Sequence, residues 1–151
     1  MHSDTPTQAT LLAGRPFVAR RVVRFAHCDP AGIVFFPRYY ELLNSVVEDW
    51  WEHLGLPWTG LIGQRRIGMP TAQLDARFVA PSRLGDALDF ELRVERLGRS
   101  SLQLQHRVVG AAGDERVRFA QRIVATSLDT HRPIPWPEDL RAALQRFKDT
   151  P

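Results

Sequence analysis

The sequence has little cysteine and no long apolar run, and each scarcity excludes a class of protein. Its one cysteine, Cys28, cannot form an intramolecular disulfide or complete a cysteine-based zinc site. No apolar stretch approaches the roughly 18 residues that a membrane-spanning helix requires, and residues 1–16 lack a basic region followed by an apolar core. We therefore expect a cytoplasmic protein with no membrane partner.

Lysine is also scarce, and the basic character comes from arginine. Lys148 is the one lysine among 20 basic residues, and the formal net charge is +3. The arginines are spread along the chain among acidic neighbours, whereas a nucleic-acid-binding protein usually concentrates its basic residues on one surface. We predict no nucleic-acid partner, although a few arginines remain available for a smaller polyanion such as the phosphates of a nucleotide.

The length of 151 residues fits one domain with a substantial core. Hydrophobic residues make up 44% and charged residues 25% of the chain, as in ordinary soluble globular proteins. Residues 1–15 are polar and irregular, which predicts a flexible N-terminal arm. Residues 16–151 then form a single domain.

Hydrophobic periodicity predicts a strand followed by one long helix. The alternation of residues 17–27 is typical of a half-buried strand. Its apolar face comprises Phe17, Ala19, Val23 and Phe25. Across residues 39–54 the apolar side chains recur at helical spacing with polar side chains opposite. Pro37 suits the first helical turn, and Gly55 suits the end.

Four further strands and a short helix are predicted after the long helix. Alternation indicates strands at residues 74–80, 88–94, 102–108 and 117–128. Turn signals at Gly85-Asp86, Gly98-Arg99 and Gly113-Asp114 make the links short, which favours an antiparallel meander. The short helix begins at Pro137. A helix lying across a curved antiparallel sheet buries both apolar faces, which predicts an α+β fold.

One motif indicates which chemistry the protein performs. It reads Phe25-Ala26-His27-Cys28-Asp29-Pro30-Ala31-Gly32-Ile33-Val34-Phe35-Phe36-Pro37-Arg38-Tyr39-Tyr40. Pro30 keeps Asp29 out of the helical region, and Gly32 suits the last position of a turn. The motif closely resembles the active-site segment of the 4-hydroxybenzoyl-CoA thioesterase family, and the resemblance extends over residues 17–130. It implies a hotdog fold, in which a five-stranded antiparallel sheet wraps around the long helix, with a short C-terminal helix added.

The resemblance implies hydrolysis of an acyl-CoA thioester, either aromatic, such as 4-hydroxybenzoyl-CoA, or short to medium in chain length. Cleavage needs a base or nucleophile, and donors for the carbonyl oxygen as it gains charge. Asp29 provides the first, as nucleophile or general base. The backbone amide of Phe36, at the helix N-terminus, polarises the carbonyl, since Pro37 has no amide. His27 is either an auxiliary base or a hydrogen-bonded strand residue.

The resemblance also implies a set of substrate-binding residues. The set comprises Gly32, Tyr39, Asn44, Ile67, Gly68, Met69, Pro70, Arg99 and Ser100. Residues 67–70 line the acyl pocket, and Met69 suits an apolar or aromatic acyl group. Arg99 either meets the phosphates of coenzyme A or is solvated. Tyr39 either borders the pocket or serves the core alone, and Asn44 either contacts a ring substituent or is solvated.

The expected partners are an acyl-CoA substrate and further copies of the chain. No metal or redox cofactor is expected, because coenzyme A enters as part of the substrate. The resemblance implies a homodimer that continues the sheet, paired into a homotetramer, and an exposed strand edge favours such pairing. Three alternatives stay open: a thioesterase of acyl carrier protein, a hotdog dehydratase, and a non-catalytic acyl-CoA-binding module. An intact Asp29 argues against the last.

Overall fold

The computed structural model describes residues 14–151, in which a five-stranded antiparallel sheet packs against one long helix. The strands are β1 (Phe17–Val22), β2 (Ile67–Gly68), β3 (Thr71–Phe78), β4 (Ala87–Leu97), β5 (Ser101–Val109), β6 (Glu115–Val124) and β7 (Thr126–Ser127). The helices are α1 (Phe36–His53) and α2 (Glu138–Asp149), with a 3-10 turn at Phe25–His27 and a π-helical turn at Thr59–Gln64. Most of the predicted N-terminal arm lies outside the described residues.

The five long strands lie in the order β1-β4-β5-β6-β3, and every neighbouring pair is antiparallel. The predicted meander is correct for β4, β5 and β6 but wrong for β3, which pairs with β6 instead of β4. Residues 79–86, here called the crossover segment, connect β3 to β4 past the two intervening strands. Neighbouring strands lie about 4.8 Å apart, so a link of this length spans that gap. The predicted five-stranded antiparallel sheet is confirmed.

The helix α1 packs on the sheet through a continuous apolar face. Its buried residues are Tyr39, Leu42, Leu43, Val46, Val47, Trp50 and Trp51. Facing them, the sheet presents side chains that are at most 1% exposed, such as Phe90, Leu104 and Phe119. Burial of one such side chain contributes about 1.5–3 kcal/mol. The predicted helix is confirmed, with Pro37 in its first turn and Gly55, at φ 80°, just after its end.

The first strand is shorter than predicted, since β1 ends at Val22. Val23 is 1% exposed, as predicted, but Phe25 is 84% exposed, so its assignment to the buried face was wrong. Val23 bonds to the crossover segment, donating to the Asp86 carbonyl at 2.8 Å and accepting from the Gly85 amide at 2.9 Å. The chain then enters the 3-10 turn, where side chains no longer alternate between two faces.

The helix α2 follows Pro137, as predicted, and covers the end of the sheet remote from the start of α1. Leu140 and Leu144 are fully buried, and Trp136, just before the helix, is 4% exposed. Within residues 14–151, no helix combines the length and apolarity needed to cross a membrane.

One titratable side chain is buried in the inward-facing row of β5. His106 is 2% exposed, and its Nε2 lies 2.8 Å from Oε1 of Gln121. Among the described residues its Nδ1 has no hydrogen-bond partner. Because burial removes the hydration of an imidazolium, the pKa of His106 is lowered to about 4. The imidazole is therefore neutral at pH 7.

We expect acidification from about pH 6.5 to about pH 4 to lower the free energy of unfolding by up to about 3 kcal/mol through His106. The unfolded chain protonates this histidine at a higher pH than the folded chain does. The contribution of His106 to stability is therefore complete above its pKa in the unfolded chain. It is lost as the pH falls toward its pKa in the folded chain. Urea unfolding at a series of pH values measures the effect. His106→Gln should remove this part of the pH dependence, and an unaltered dependence would contradict the assignment.

Candidate active site

Asp29 lies in a tight turn that its own hydrogen bonds define. Its amide donates to the Ile33 carbonyl at 2.9 Å, and its carbonyl accepts from the Gly32 amide at 3.0 Å. Its Oδ1 accepts from the Ala31 amide at 2.8 Å. Gly32 has a φ of 76°, a conformation that favours glycine. The turn therefore orients a half-buried carboxylate, whose Oδ2 makes no hydrogen bond within residues 14–151.

The helix α1 begins soon after this turn and leaves one amide free. The Phe35 amide donates to the His27 carbonyl at 2.9 Å, whereas the Phe36 amide has no acceptor in the described part of the chain. Pro37 has no amide hydrogen. The first amides of a helix lie at the positive end of its dipole. The N-terminus of α1 therefore offers the Phe36 N–H as a donor for an oxygen that gains negative charge.

An apolar cavity of about 320 Å³ opens beside the start of α1. Its lining comprises Ile33, Val34, Phe36, Tyr39, Phe78, Val79, Ala80, Pro81 and Ser82. The ring centroids of Phe36 and Phe78 are 6.1 Å apart in an edge-on arrangement, and both side chains are about half exposed. The mouth of the cavity is therefore aromatic and open. A second cavity, of about 680 Å³, lies at the opposite end of α1 beside His53, remote from the Asp29 turn.

Tyr39 belongs to the core and also lines the cavity, so it does not serve the core alone. It is 3% exposed, and its hydroxyl donates to Oγ of Ser82 at 2.8 Å. Burial raises the pKa of Tyr39, so the hydroxyl stays protonated at neutral pH. Tyr39 thus ties α1 to the crossover segment.

His27 is held by its own turn. Its Nδ1 accepts a hydrogen bond from the Arg24 amide at 2.9 Å, and its carbonyl accepts from Phe35. These contacts match the hydrogen-bonded alternative for His27, although the residue lies in the 3-10 turn and not in a strand. With Nδ1 occupied as an acceptor, the ring proton of neutral His27 is on Nε2.

Residues 67–70 lie far from the Asp29 turn within one protomer. They precede Thr71, at the end of β3 remote from Phe78, and the eight residues of β3 extend about 26 Å. Ile67 and Gly68 are buried, Met69 is half-buried and Pro70 is exposed. A Cβ on Gly68 would lie 2.7 Å from Leu128, so close packing explains this glycine.

Arg99 and Ser100 lie in the β4–β5 turn, at the same end of the sheet as residues 67–70. The Arg99 carbonyl accepts from the Trp136 amide at 2.9 Å, which fixes the turn against the segment before α2. The Arg99 side chain is exposed and, among residues 14–151, forms no ion pair. Asn44 is exposed on α1, about two turns beyond Phe36. One protomer therefore brings together His27, Asp29, Gly32, Phe36 and Tyr39, but not Asn44, Arg99, Ser100 or residues 67–70.

Sequence reasoning missed the wall that the crossover segment contributes to the cavity. The signal was present, since the apolar run from Phe78 to Pro81 breaks the alternation of the preceding strand. Ser82 gave no signal, because a single serine after a proline is typical of a solvated turn. In the structure Ser82 is 1% exposed.

The chain matches the thioesterase-like superfamily over residues 23–144. It is similar to the 4-hydroxybenzoyl-CoA thioesterase of Pseudomonas sp. strain CBS-3, with 32% identity over 96 residues that cover 62% of this chain and 68% of the relative. It is 29% identical to the 1,4-dihydroxy-2-naphthoyl-CoA hydrolase of Thermosynechococcus vestitus over 127 residues, 83% of this chain and 86% of the relative.

Among solved structures, one similar to this chain is an aspartate-to-asparagine variant of 4-hydroxybenzoyl-CoA thioesterase complexed with 4-hydroxybenzoyl-CoA. The TM-score is 0.79 at 27% identity, and the match covers 87% of this chain and 99% of that chain. The superfamily match spans well over half of the sequence and agrees with the observed sheet and helix. The chain therefore belongs to the thioesterase-like superfamily and is a hotdog-fold acyl-CoA thioesterase, as the motif predicted.

Proposed function

We propose that the protein hydrolyses the coenzyme A thioester of an aromatic acid to the free acid and coenzyme A. The observation that carries this proposal is the aromatic mouth of the 320 Å³ cavity beside the Asp29 turn and the free Phe36 amide. A flat ring gains edge-to-face contacts with Phe36 and Phe78 that an alkyl chain does not make. Two similar proteins are named for 4-hydroxybenzoyl-CoA and 1,4-dihydroxy-2-naphthoyl-CoA, both aromatic thioesters.

In the proposed mechanism, Asp29 starts the reaction and the helix N-terminus stabilises the developing charge. The Ala31 amide holds Oδ1 of Asp29, so Oδ2 is available to attack the carbonyl carbon or to take a proton from an attacking water. The Phe36 N–H donates to the carbonyl oxygen, and one such preorganised donor contributes about 10²–10³ in turnover. The C–S bond then breaks, and coenzyme A leaves as a thiolate that takes up a proton, either from Asp29 where it has deprotonated water or from solvent. Where Asp29 attacks directly, water next hydrolyses the acyl anhydride on Asp29, which releases the acid and restores the carboxylate. We propose that no metal or redox cofactor takes part.

Replacing Asp29 with asparagine removes the charge while keeping the shape of the side chain. We expect the native protein to release thiol from benzoyl-CoA or 4-hydroxybenzoyl-CoA faster than from short fatty acyl-CoAs. We expect Asp29→Asn to lower kcat about a hundredfold or more, because it removes the group that attacks or activates water. Free thiol, measured over time for each substrate, gives both results.

The matched control is Asp149→Asn, which neutralises an exposed carboxylate on α2 and should retain native turnover. An Asp29→Asn variant as active as the native protein would refute the role of Asp29. A clear preference for straight-chain substrates would refute the aromatic assignment, and inactivity toward the whole panel would refute the proposed hydrolysis.

We also propose that each active site is completed across a homodimer. The predicted substrate-binding groups lie at the two ends of β3, and β3 is an edge strand of the sheet. Phe36, Phe78 and Val79 are 55%, 48% and 51% exposed at that edge, so pairing would bury apolar surface there. A two-fold axis perpendicular to the sheet pairs β3 antiparallel with its copy. Residues 67–70 of one protomer then meet the Phe78 end of the other, and two such dimers form the expected tetramer.

Mixing two inactive variants tests this shared site. We expect Asp29→Asn and Pro70→Arg each to abolish turnover as homodimers; Pro70 is exposed, so the arginine should leave folding intact. A mixed dimer carries one site with native Asp29 and native Pro70 of the partner subunit. The purified mixed dimer should therefore show about half of the native activity, and an unfractionated random mixture of the two chains about a quarter.

The two variants are co-expressed with different tags, and the doubly tagged dimer is purified and assayed for thiol release. Its mass by light scattering confirms that both chains are present. A purified mixed dimer without activity would contradict a site built from two protomers. An active Pro70→Arg homodimer would contradict the placement of residues 67–70 against the acyl group.

A further inference from the structure

We infer that Arg116 is a positioning residue, which fixes the crossover segment and, through it, the turn that holds Asp29. The inference rests on the proposed function, because Asp29 is the reactive group that the contact would position. Arg116 lies in β6, far from the motif in sequence, and its side chain is only 14% exposed.

The guanidinium of Arg116 holds the crossover segment at three points. Its Nη1 donates to the Pro81 carbonyl at 3.1 Å, to Oγ of Ser82 at 3.2 Å and to Oδ2 of Asp86 at 2.8 Å. Its Nε donates to Oδ2 of Asp114 at 2.6 Å, which anchors the guanidinium to the turn between β5 and β6. Several acceptors on one planar donor group define its position more narrowly than one contact would.

The backbone of Arg116 holds the start of the same segment. Its carbonyl accepts hydrogen bonds from the Val79 amide at 2.8 Å and from the Ala80 amide at 3.2 Å. The pairing with β6 thereby continues one step beyond the end of β3. Backbone and side chain of one residue thus fix the segment from Val79 to Asp86.

The charges around Arg116 keep the contact intact at neutral pH. The hydrogen bond to Asp86 raises the pKa of Arg116, and the bond from Arg116 lowers the pKa of Asp86. Asp114 carries a lowered pKa for the same reason. The guanidinium and both carboxylates therefore stay ionised where the enzyme would work.

The crossover segment in turn pairs with the catalytic motif. Val34 donates to the Ser82 carbonyl at 2.9 Å, Leu84 donates to the Gly32 carbonyl at 3.1 Å, and Ile33 forms an antiparallel bridge with the crossover segment. Ser82 is therefore bonded to Arg116 through its side chain and to the motif through its backbone. A displacement of about 1 Å at a reacting group costs on the order of a hundredfold in rate. Weakening the contacts of Arg116 should therefore displace the Asp29 carboxylate.

Gly110 offers a way to move the guanidinium without changing any charge. A Cβ built on Gly110 would lie 2.5 Å from Nη2 of Arg116 and 2.6 Å from Oδ1 of Asp114. Both distances are too short for a real contact, so Gly110→Ala must displace these groups. The variant keeps every hydrogen-bonding side chain present.

We expect Arg116→Met to lower kcat about tenfold or more per folded molecule, with a smaller change in KM, because orientation is lost more than binding. Arg116→Lys should restore part of the loss, since lysine keeps the charge but not the planar fork. Gly110→Ala should lower kcat in the same direction. The matched control is Arg107→Met on β5, which removes an arginine paired with Glu115 at 3.0 Å. Among the described residues Arg107 has no hydrogen bond to the crossover segment, so kcat should stay within about twofold.

Amide hydrogen exchange gives a readout that does not depend on activity. Val34 and Leu84 should exchange at least about tenfold faster in Arg116→Met, and at the native rate in Arg107→Met. A folded Arg116→Met protein with native kcat and native exchange at both amides would overturn the inference while leaving the thioesterase assignment intact. If Arg116→Met does not fold, Gly110→Ala and Asp114→Asn decide by the same two readouts. If the native protein hydrolyses no thioester, the proposed function fails and the exchange rates alone decide the inference.

Discussion

Burial of one face of α1 against the sheet decides where the Asp29 carboxylate and the free Phe36 amide lie. Trp50 and Trp51 are fully buried, so in a close-packed interior α1 cannot slide or turn about its axis. Its first residue, Phe36, is therefore held at the end of the sheet where the Asp29 turn arrives. The carboxylate and the free amide share this end because hydrophobic packing far from the chemistry positions the helix.

The parts of the fold that depend on local rules were predictable from the sequence. The length and direction of α1 follow from its apolar spacing, Pro37 and Gly55, and the Asp29 turn follows from Pro30 and Gly32. The partner of β3 was not predictable in this way. It depends on where the crossover segment leads, and contacts between residues distant in sequence, such as Arg116 with Asp86, determine that path. The outward position of Phe25 was also not predictable, because the alternation of apolar and polar residues does not show at which residue a strand ends.

For the candidate site, the sequence likewise predicted individual residues but not how far apart the fold places them. A resemblance in sequence gives a list of candidate residues, but it does not say whether one copy of the chain supplies all of them. Asp29 and Phe36 fall at one end of the sheet, whereas residues 67–70 and Arg99 fall at the other. The separation along β3 became visible only when the strand order was known. This separation is the observation behind the proposal that two protomers share each site.

The crossover segment also bears on how such an enzyme can change its substrate. One wall of the cavity comes from a link and not from a strand, so its side chains are free of the alternation that a sheet imposes. Its backbone is nevertheless held by Arg116 at Val79 and Ala80. A point mutation at either position would reshape the cavity while the path of the chain stayed the same. If this cavity holds the acyl group, selectivity can therefore change by single substitutions that leave the backbone of the crossover segment in place.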